Sequence, residues 1–537
     1  MAAAQVAKLP DAPLGVVGAG TMGSGIAHVA AVGGFQVRLF DVADGAASAA
    51  IGRIDGYLKR SVERGRITSE AASAAIGRID EAGSLEDLAD CFVVIEAVAE
   101  RLEIKHDLFV ELAAICGPDA VLATNTSSLP VTAIAGPVPS PERVVGMHFF
   151  NPVPLMRLVE VVSGLNSGDR ALAVARAVGR QMGREVIDAS DGPGFLVNRV
   201  SRPFVLEAQK LLAERVADHA DIDTAMRLGG SFRMGPFELS DLVGVDVGYD
   251  IAQSFFRLGH GEPRWQPSNI PAQLVAAGRL GRKSRRGYYE YTEGGDYREP
   301  DPPPHPPESV SGAVEIIGTG EIARQLRRLT EAAGYNVSPV AGSPITITID
   351  ARVDRAGSDL EDQLVAHHPI AVLCAGNSLA SAARGRDIVG FHCLPPLGES
   401  HAVEITRGSG TSDASHAATT RFFHSIGKHV IDVGDAPGLV LGRIVCQLIN
   451  EAAFAVQERV GTAEDIDRGV ELGLNFPRGL LFWSDVIGAD QVVATLDALQ
   501  LEIGGDRYRA APMLRRMVQE GRIGRSSDRG FFEHPPV

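Results

Sequence analysis

The chain opens with a short apolar run, Leu14–Val17, followed by glycines and an alanine-rich stretch, Met22–Gly33. Apolar and polar positions then alternate over Gln36–Phe40 up to Asp41, and a further apolar run spans Cys91–Val98. Short apolar runs bounded by turn residues predict buried strands, and the stretch between the first two predicts a helix. Strand, glycine turn, helix and strand in that order are the βαβ unit of a parallel sheet. Beyond about Asn198 the strand patterns fade. Long helical patterns such as Phe204–Arg215 and Asp221–Arg227 replace them, so a mostly helical second domain is expected.

One linker interrupts this pattern. Glu299–Ser309 reads EPDPPPHPPES, too rich in proline for the interior of a helix or strand and suited to a stiff spacer. The same signals recur in the same order on either side of it. LGVVGAGTMG (Leu14–Gly23) is echoed by VEIIGTGEIA (Val314–Ala323), GMHFFNPVPLMRLVEVV (Gly146–Val162) by GFHCLPPLGESHAVEIT (Gly390–Thr406), and PGFLVNR (Pro193–Arg199) by PGLVLGR (Pro437–Arg443). GRKSRRGYYEY (Gly281–Tyr291) is matched by GRSSDRGFFEH (Gly524–His534). His148 and His392, Glu160 and Glu404, and Gly194 and Gly438 each stand 244 residues apart, whereas the glycine loops at Gly18 and Gly318 stand 300 apart. This is an internal duplication whose rear copy has lost 56 residues between its loop and its histidine. The expected fold is an α/β Rossmann domain plus an all-α C-terminal domain, duplicated, with the second Rossmann domain degenerate. The expected boundaries are 12–193, 194–298, a linker at 299–312, then 313–436 and 437–537.

Composition narrows the function. At roughly 150 residues per domain, 537 residues allow three or four domains. Hydrophobic residues at 45% and charged ones at 22% are ordinary for a globular protein. A net charge of -16 provides no basic field for phosphate backbone, so nucleic acid is not an expected partner. No run approaches the eighteen or so apolar residues of a membrane span, and no signal peptide is expected from the first ten residues. The five cysteines show neither a CxxC pair nor metal-ligand spacing, so reduced buried thiols, no metal and a cytoplasmic location are expected.

Candidate chemistry begins at Gly18, Gly20 and Gly23. These suit a tight turn, close approach of a pyrophosphate, and helix–strand packing, with the helix N-terminus offering free N–H groups to phosphate. Asp41, eighteen residues after Gly23, ends the next strand, where a carboxylate bonds the ribose 2′-hydroxyl and repels a 2′-phosphate. No arginine follows it, so NAD is expected rather than NADP. His148 ends the run VVGMH and Glu160 lies 12 residues on. The residues alone leave two readings of His148 open: a satisfied core histidine, or a base that takes an alcohol proton with Glu160 fixing its tautomer.

NTSSL (Asn125–Leu129), GMHFFNPVP (Gly146–Pro154), LVEV (Leu158–Val161) and PGFLVNR together resemble the L-3-hydroxyacyl-CoA dehydrogenase family, strongly over Leu14–Tyr291 and more weakly beyond. The two-part form resembles long bacterial members assigned to 3-hydroxybutyryl-CoA and 3-hydroxyadipyl-CoA. The resemblance implies NAD-dependent oxidation of an L-3-hydroxyacyl-CoA, in fatty acid β-oxidation or phenylacetate-type catabolism. It makes His148 the base and Glu160 its partner. Ser127 then bonds the substrate oxygen and Asn198 orients the substrate. Glu100, Lys105, Asn151 and Lys283 match cofactor-contacting positions; without the resemblance, Glu100, Lys105 and Lys283 read as solvated surface charges. The family's CoA-facing helical hairpin falls at about Ile51–Ile67, where Lys59, Arg60, Arg64 and Arg66 cluster. Lys59 and Arg64 are the CoA candidates, although a solvated helix face reads the same way. Two alternatives stay open: a dehydrogenase of free 3-hydroxy or sugar acids, and a non-catalytic NAD- or CoA-binding protein.

In the rear copy Gly23 becomes Ala323, Ser127 aligns with Asn377, Asn151 with Pro395, Asn198 with Gly442 and Lys283 with Ser526. His392 and Glu404 persist, and we read them as a relic held in a buried hydrogen bond rather than as a second active site. The family's helical domains form a homodimer interface; here a homodimer, or an intrachain pseudo-dimer of the two helical domains, is expected.

Overall fold

The computed structural model describes residues 9–298, 300–303, 306, 310–338, 344–353 and 368–535. Six residues of the proline-rich linker, among them Glu299 and Pro304, lie outside the described residues. The chain forms two compact units, Met1–Arg199 with Glu458–Leu474, and Val200–Gln457 with Asn475–Val537.

The first unit is built on β1 (Leu14–Val17), β2 (Val37–Phe40), β3 (Ile79–Glu81), β4 (Val93–Glu96), β5 (Val121–Thr124), β6 (Val144–Phe149), β7 (Leu158–Ser163) and β8 (Glu185–Ser190). They form one sheet in the order β3-β2-β1-β4-β5-β6-β7-β8. Pairing is parallel throughout except between β6 and β7. This is the Rossmann-like parallel sheet that the glycine loop implied. Strands β1, β4 and β5 are buried on both faces, as a parallel sheet covered by helices requires. The helix Thr21–Val32 presses Ile26, Ala27 and Ala30 into the core that Val16, Val37 and Leu39 share. β2 alternates: Val37 and Leu39 point inward, while Arg38 reaches out to Asp90. Two helices, Ala46–Glu63 and Ser69–Ile76, connect β2 to β3. Only Ile79 of β3 is buried, so this edge strand left no apolar run to read. The helix Ala463–Leu474, from the far end of the chain, packs on β7 and β8 of this unit.

The second unit holds helices from both halves and a second sheet. Its strands are β9 (Ala313–Ile317), β10 (Ile345–Asp350), β11 (Ile370–Leu373), β12 (Val389–His392), β13 (Ala402–Arg407) and β14 (His429–Asp432), ordered β14-β13-β12-β11-β10-β9. Among the described residues only β12 and β13 pair antiparallel in this sheet, with His392 opposite Glu404, as His148 stands opposite Glu160 in the first sheet. β10 lies directly beside β9, the place that β4 takes beside β1, and among the described residues nothing corresponds to β2 or β3. Among the described residues β9 is therefore the edge strand, with an isolated bridge from Ala313 to Asn336. The helix Arg202–Ala213 packs on Leu441–Gln457 through buried charge: Arg443 and Arg507 grip Glu207 at 2.7 and 3.1 Å, and Arg264 grips Glu451 at 2.9 Å. Burial works to raise the Glu207 pKa, but the two guanidiniums and the Tyr508 hydroxyl outweigh it and hold the group at about 2.

Candidate active site

All candidates except Lys283 lie in the first unit; the glycine loop, Asp41, Glu100, Ser127 and His148 stand at or just past the carboxyl ends of β1, β2, β4, β5 and β6. Gly18 (φ 101°) needs its conformational freedom, because a Cβ there would meet the Ala97 carbonyl oxygen at 2.5 Å. A Cβ at Gly23 would lie 1.7 Å from the Gly18 oxygen, so this glycine lets the helix close onto the loop. A Cβ at Gly20 would meet nothing within 4 Å. The open side of the loop thus faces space, as a pyrophosphate seat at a helix N-terminus requires. Asp41 Oδ2 accepts a bond from Ala19 N at 2.6 Å and Oδ1 one from Ala43 N at 2.9 Å, which fixes the carboxylate at the rim of the loop. The donor set therefore fits an adenosine diphosphate moiety with free ribose hydroxyls. The sequence reading missed Arg53, which donates to Ala19 O at 2.9 Å from the following helix.

Glu100 draws together the loop after β5. Its Oε1 accepts from Thr126 Oγ1 at 2.7 Å and from Ser127 N, Ser128 N and Ser128 Oγ at 3.0 Å each. Burial pushes the Glu100 pKa up, but the Lys105 ammonium and these hydrogen bonds push harder, so the group sits below the ordinary carboxylate range. Lys105 is enclosed by carboxylates rather than solvated. It is 1% exposed, and its Nζ bonds both oxygens of Glu96 at 2.7 and 2.9 Å and Glu100 at 3.2 Å. Lys105 is thereby tied through Glu100 to the serine loop.

At the substrate end, the antiparallel register of β6 and β7 sets His148 against Glu160. His148 Nδ1 lies 2.5 Å from Glu160 Oε2, and Glu160 is fully buried. Its other oxygen accepts from Leu196 N at 3.2 Å and Val197 N at 2.9 Å. These two N–H groups are aimed by Gly194 (φ 69°) and Phe195 (φ 52°), a left-handed pair that turns the chain into the short helix Val197–Val200. That helix carries Asn198. One carboxylate thus holds both the imidazole and the asparagine-bearing helix. Phe150 and Phe195 pack on the imidazole at centroid distances of 4.6 and 5.8 Å. With Nδ1 engaged, Nε2 is the nitrogen left to face a substrate. Asn125 Oδ1, also missed, accepts from Phe149 N at 2.8 Å and ties the serine loop to the histidine strand. Asn151 is exposed just past β6, in the cis Asn151–Pro152 step.

On the hairpin, Lys59 is 71% exposed and paired with Asp55 at 2.7 Å, Arg60 lies 4.6 Å from the Tyr57 ring centroid, and Arg64 is exposed at the helix end. Lys283 belongs to the second unit, where its Nζ bonds Asp246 at 2.6 Å.

The corresponding position in the second unit overturns one expectation. His392 and Glu404 share no hydrogen bond: Nδ1 and Oε2 are 3.6 Å apart, and neither ring nitrogen has a partner among the described residues. The reason is Gly442 in the place of asparagine. A Cβ there would lie 2.3 Å from His392 Cε1, so the ring fills the space a side chain would have taken. Glu404 keeps its backbone bonds, from Val440 N and Leu441 N at 3.1 Å each. Residues 354–367, where counterparts of Glu100 and Lys105 would be sought, lie outside the described residues.

Comparison with known proteins is decisive. The family model for the 3-hydroxyacyl-CoA dehydrogenase NAD-binding domain matches residues 13–192, and that for the C-terminal domain matches twice, at 194–291 and 438–534. The chain belongs to the 3-hydroxyacyl-CoA dehydrogenase family. Among curated members of that family, the chain is 35% identical to the 3-hydroxyadipyl-CoA dehydrogenase of Escherichia coli K12 over 502 residues, 93% of this chain and 96% of the relative. It is 42% identical to the 3-hydroxybutyryl-CoA dehydrogenase of Bradyrhizobium diazoefficiens, over 52% of this chain and 94% of the relative. A crystal structure of 3-hydroxybutyryl-CoA dehydrogenase from E. coli K12 matches with a TM-score of 0.80 at 33% identity, covering 96% of this chain and all of that one. Among the described residues of this dehydrogenase-family chain, no helix is long and apolar enough to cross a membrane.

Proposed function

We propose that this chain oxidises an L-3-hydroxyacyl-CoA to the 3-oxoacyl-CoA, with NAD as acceptor. Bound NAD supplies the acceptor for the hydride that leaves C3. The protein's own residues handle the proton and the positioning. His148 Nε2 takes the hydroxyl proton, and Glu160 keeps the hydrogen on Nδ1 and stabilises the imidazolium that forms. Ser127, on the loop that Glu100 draws tight, bonds the reacting oxygen, and Asn198 orients the thioester. Asp41 and the glycine loop hold the cofactor's adenosine end; Asn151 serves its nicotinamide side. Lys59 and Arg64 give CoA phosphates a local basic patch in an otherwise acidic chain. The observation that carries this reading is the single buried carboxylate of Glu160, bonded at once to His148 and to the helix of Asn198.

The test is NADH formation over a panel of 3-hydroxyacyl-CoA thioesters, one of them dicarboxylic, with His148→Gln alongside. Turnover in the parent and its loss in the variant with NAD affinity retained are the expected results; full turnover in the variant refutes the role of His148.

For the rest of the chain, the family-model matches at 13–192, 194–291 and 438–534 support the domain boundaries given above, with 458–474 packing in the first unit, and the six-strand order and Gly442 support a degenerate second Rossmann domain. The 2.7 Å Arg443–Glu207 pair supports an intrachain pseudo-dimer. Cytoplasmic location is part of the same proposal.

A further inference from the structure

We propose that the rear half of the chain serves the front active site directly: the helix Ala463–Leu474 is the positioning element for the short helix that carries Asn198. This rests on the role given to Asn198 above. The first unit holds residues 458–474 as an integral part, and their contacts fall on the residues next to the reacting groups. A Cβ at Gly469 would lie 2.7 Å from Val197 Cγ2 and 3.0 Å from Ile187 Cδ1. At Gly473 it would meet Leu158 Cδ2 at 2.9 Å, Phe150 Cε1 at 3.3 Å and Val197 Cγ1 at 3.4 Å. Glycine weakens a helix, so two glycines four residues apart on one face need a reason, and the close approach supplies it. Val197 precedes Asn198 and gives its N–H to Glu160; Phe150 packs on the His148 ring. The rear helix therefore presses on one side of Val197 while Glu160 holds the other.

Polar contacts fix the helix and its lead-in. Ser190 N donates to Val460 O at 2.8 Å, Arg199 pairs with Glu458 at 2.7 Å, and Arg468 bonds both oxygens of Glu185 at 2.8 Å each. The second unit contains the reciprocal contact, where a Cβ at Gly229 would lie 3.1 Å from Leu441 Cδ2. Gly229 and Gly473, like Val197 and Leu441, stand 244 residues apart, so the two copies exchange one segment each. The helix backed in the second unit carries Gly442 instead of asparagine. Only one of the two exchanged contacts thus supports chemistry.

The test uses the full-length chain with Gly469→Val, Gly469→Ala, Asn198→Ala and their combinations. Gly469→Val should lower kcat by about tenfold or more, since small displacements near reacting groups are costly. NAD affinity and far-UV circular dichroism should match the parent. In the Asn198→Ala background the same substitution should cost less than about twofold, because the two act through one group. Val197→Ala should restore most of the kcat lost in Gly469→Ala by removing Cγ2, which keeps the test open if the valine variant does not fold. Full additivity with Asn198→Ala, or no rescue by Val197→Ala, overturns the proposal. An Asn198→Ala variant with parental kcat refutes instead the role of Asn198 on which it rests.

Discussion

The two copies allow one substitution to be read twice. Glu160→Gln keeps an oxygen for Leu196 N and Val197 N but turns an NH2 group toward His148 Nδ1, where the carboxylate now sits at 2.5 Å. Nδ1 must then accept, the ring proton moves to Nε2, and the nitrogen facing the substrate can no longer take a proton. Correctly placed acid–base catalysis contributes about 10²–10⁴-fold, so kcat should fall by that factor, or about 3–5 kcal/mol of barrier. Glu404→Gln removes the same charge from the same kind of helix cap. His392 lies 3.6 Å away and takes no bond, so there is no tautomer to disturb. Charge-assisted bonds exceed neutral ones by about 1 kcal/mol, so both variants should lose about 1–2 kcal/mol of stability. Only Glu160→Gln should lose activity. The assay is steady-state NADH formation beside urea denaturation of each variant. Parental kcat in Glu160→Gln, or an equal loss in Glu404→Gln, would refute the division of labour between the two carboxylates.

Three further outcomes are expected. His392→Leu should be neutral or stabilising by about 1–2 kcal/mol in urea melts, because the imidazole it removes is buried without a partner; a clear loss of stability would show a hidden partner. Arg64→Glu should raise KM for an acyl-CoA but not for a free 3-hydroxy acid, and equal effects on both would remove the hairpin from CoA recognition. Asp223 is pushed from 3.8 to about 7 by burial, with Glu238 adding to the rise and bonds from Phe237 N, Glu238 N and the Tyr289 hydroxyl opposing it. Between those values the folded chain keeps a proton that the unfolded chain has lost, so stability falls as pH rises through this window. Asp223→Asn should flatten the slope of Tm against pH between about 4 and 7, and an unchanged slope would place the titration elsewhere.

What the sequence could reveal followed the range over which each contact acts. The unit of β1, glycine turn, helix and Asp41 is local, and its apolar runs and glycines mark it. The 12-residue spacing of His148 and Glu160 is legible as well, because a short antiparallel connection makes them cross-strand partners. From the residues alone Lys105 reads as a solvated charge, and only the fold brings Glu96 and Glu100 around it. The loss of the His392 hydrogen bond needed two facts together, the asparagine-to-glycine change and the ring's movement into the gap. Segment 458–474 joins partners more than 250 residues away, as in Arg468 with Glu185, and left one trace: glycines inside a helical pattern.

That long-range closure sets a schedule for synthesis. A ribosome releases the amino terminus first, yet the catalytic unit draws on residues up to Leu474 of 537. The nascent Rossmann sheet must wait, with the β7–β8 surface uncovered, until nearly nine-tenths of the polypeptide has been made. Contacts so distant along the chain are the slowest to form and leave apolar surface open meanwhile. A ribosome stalled at the proline-rich linker would therefore release the Rossmann sheet without the helix that packs on β7 and β8.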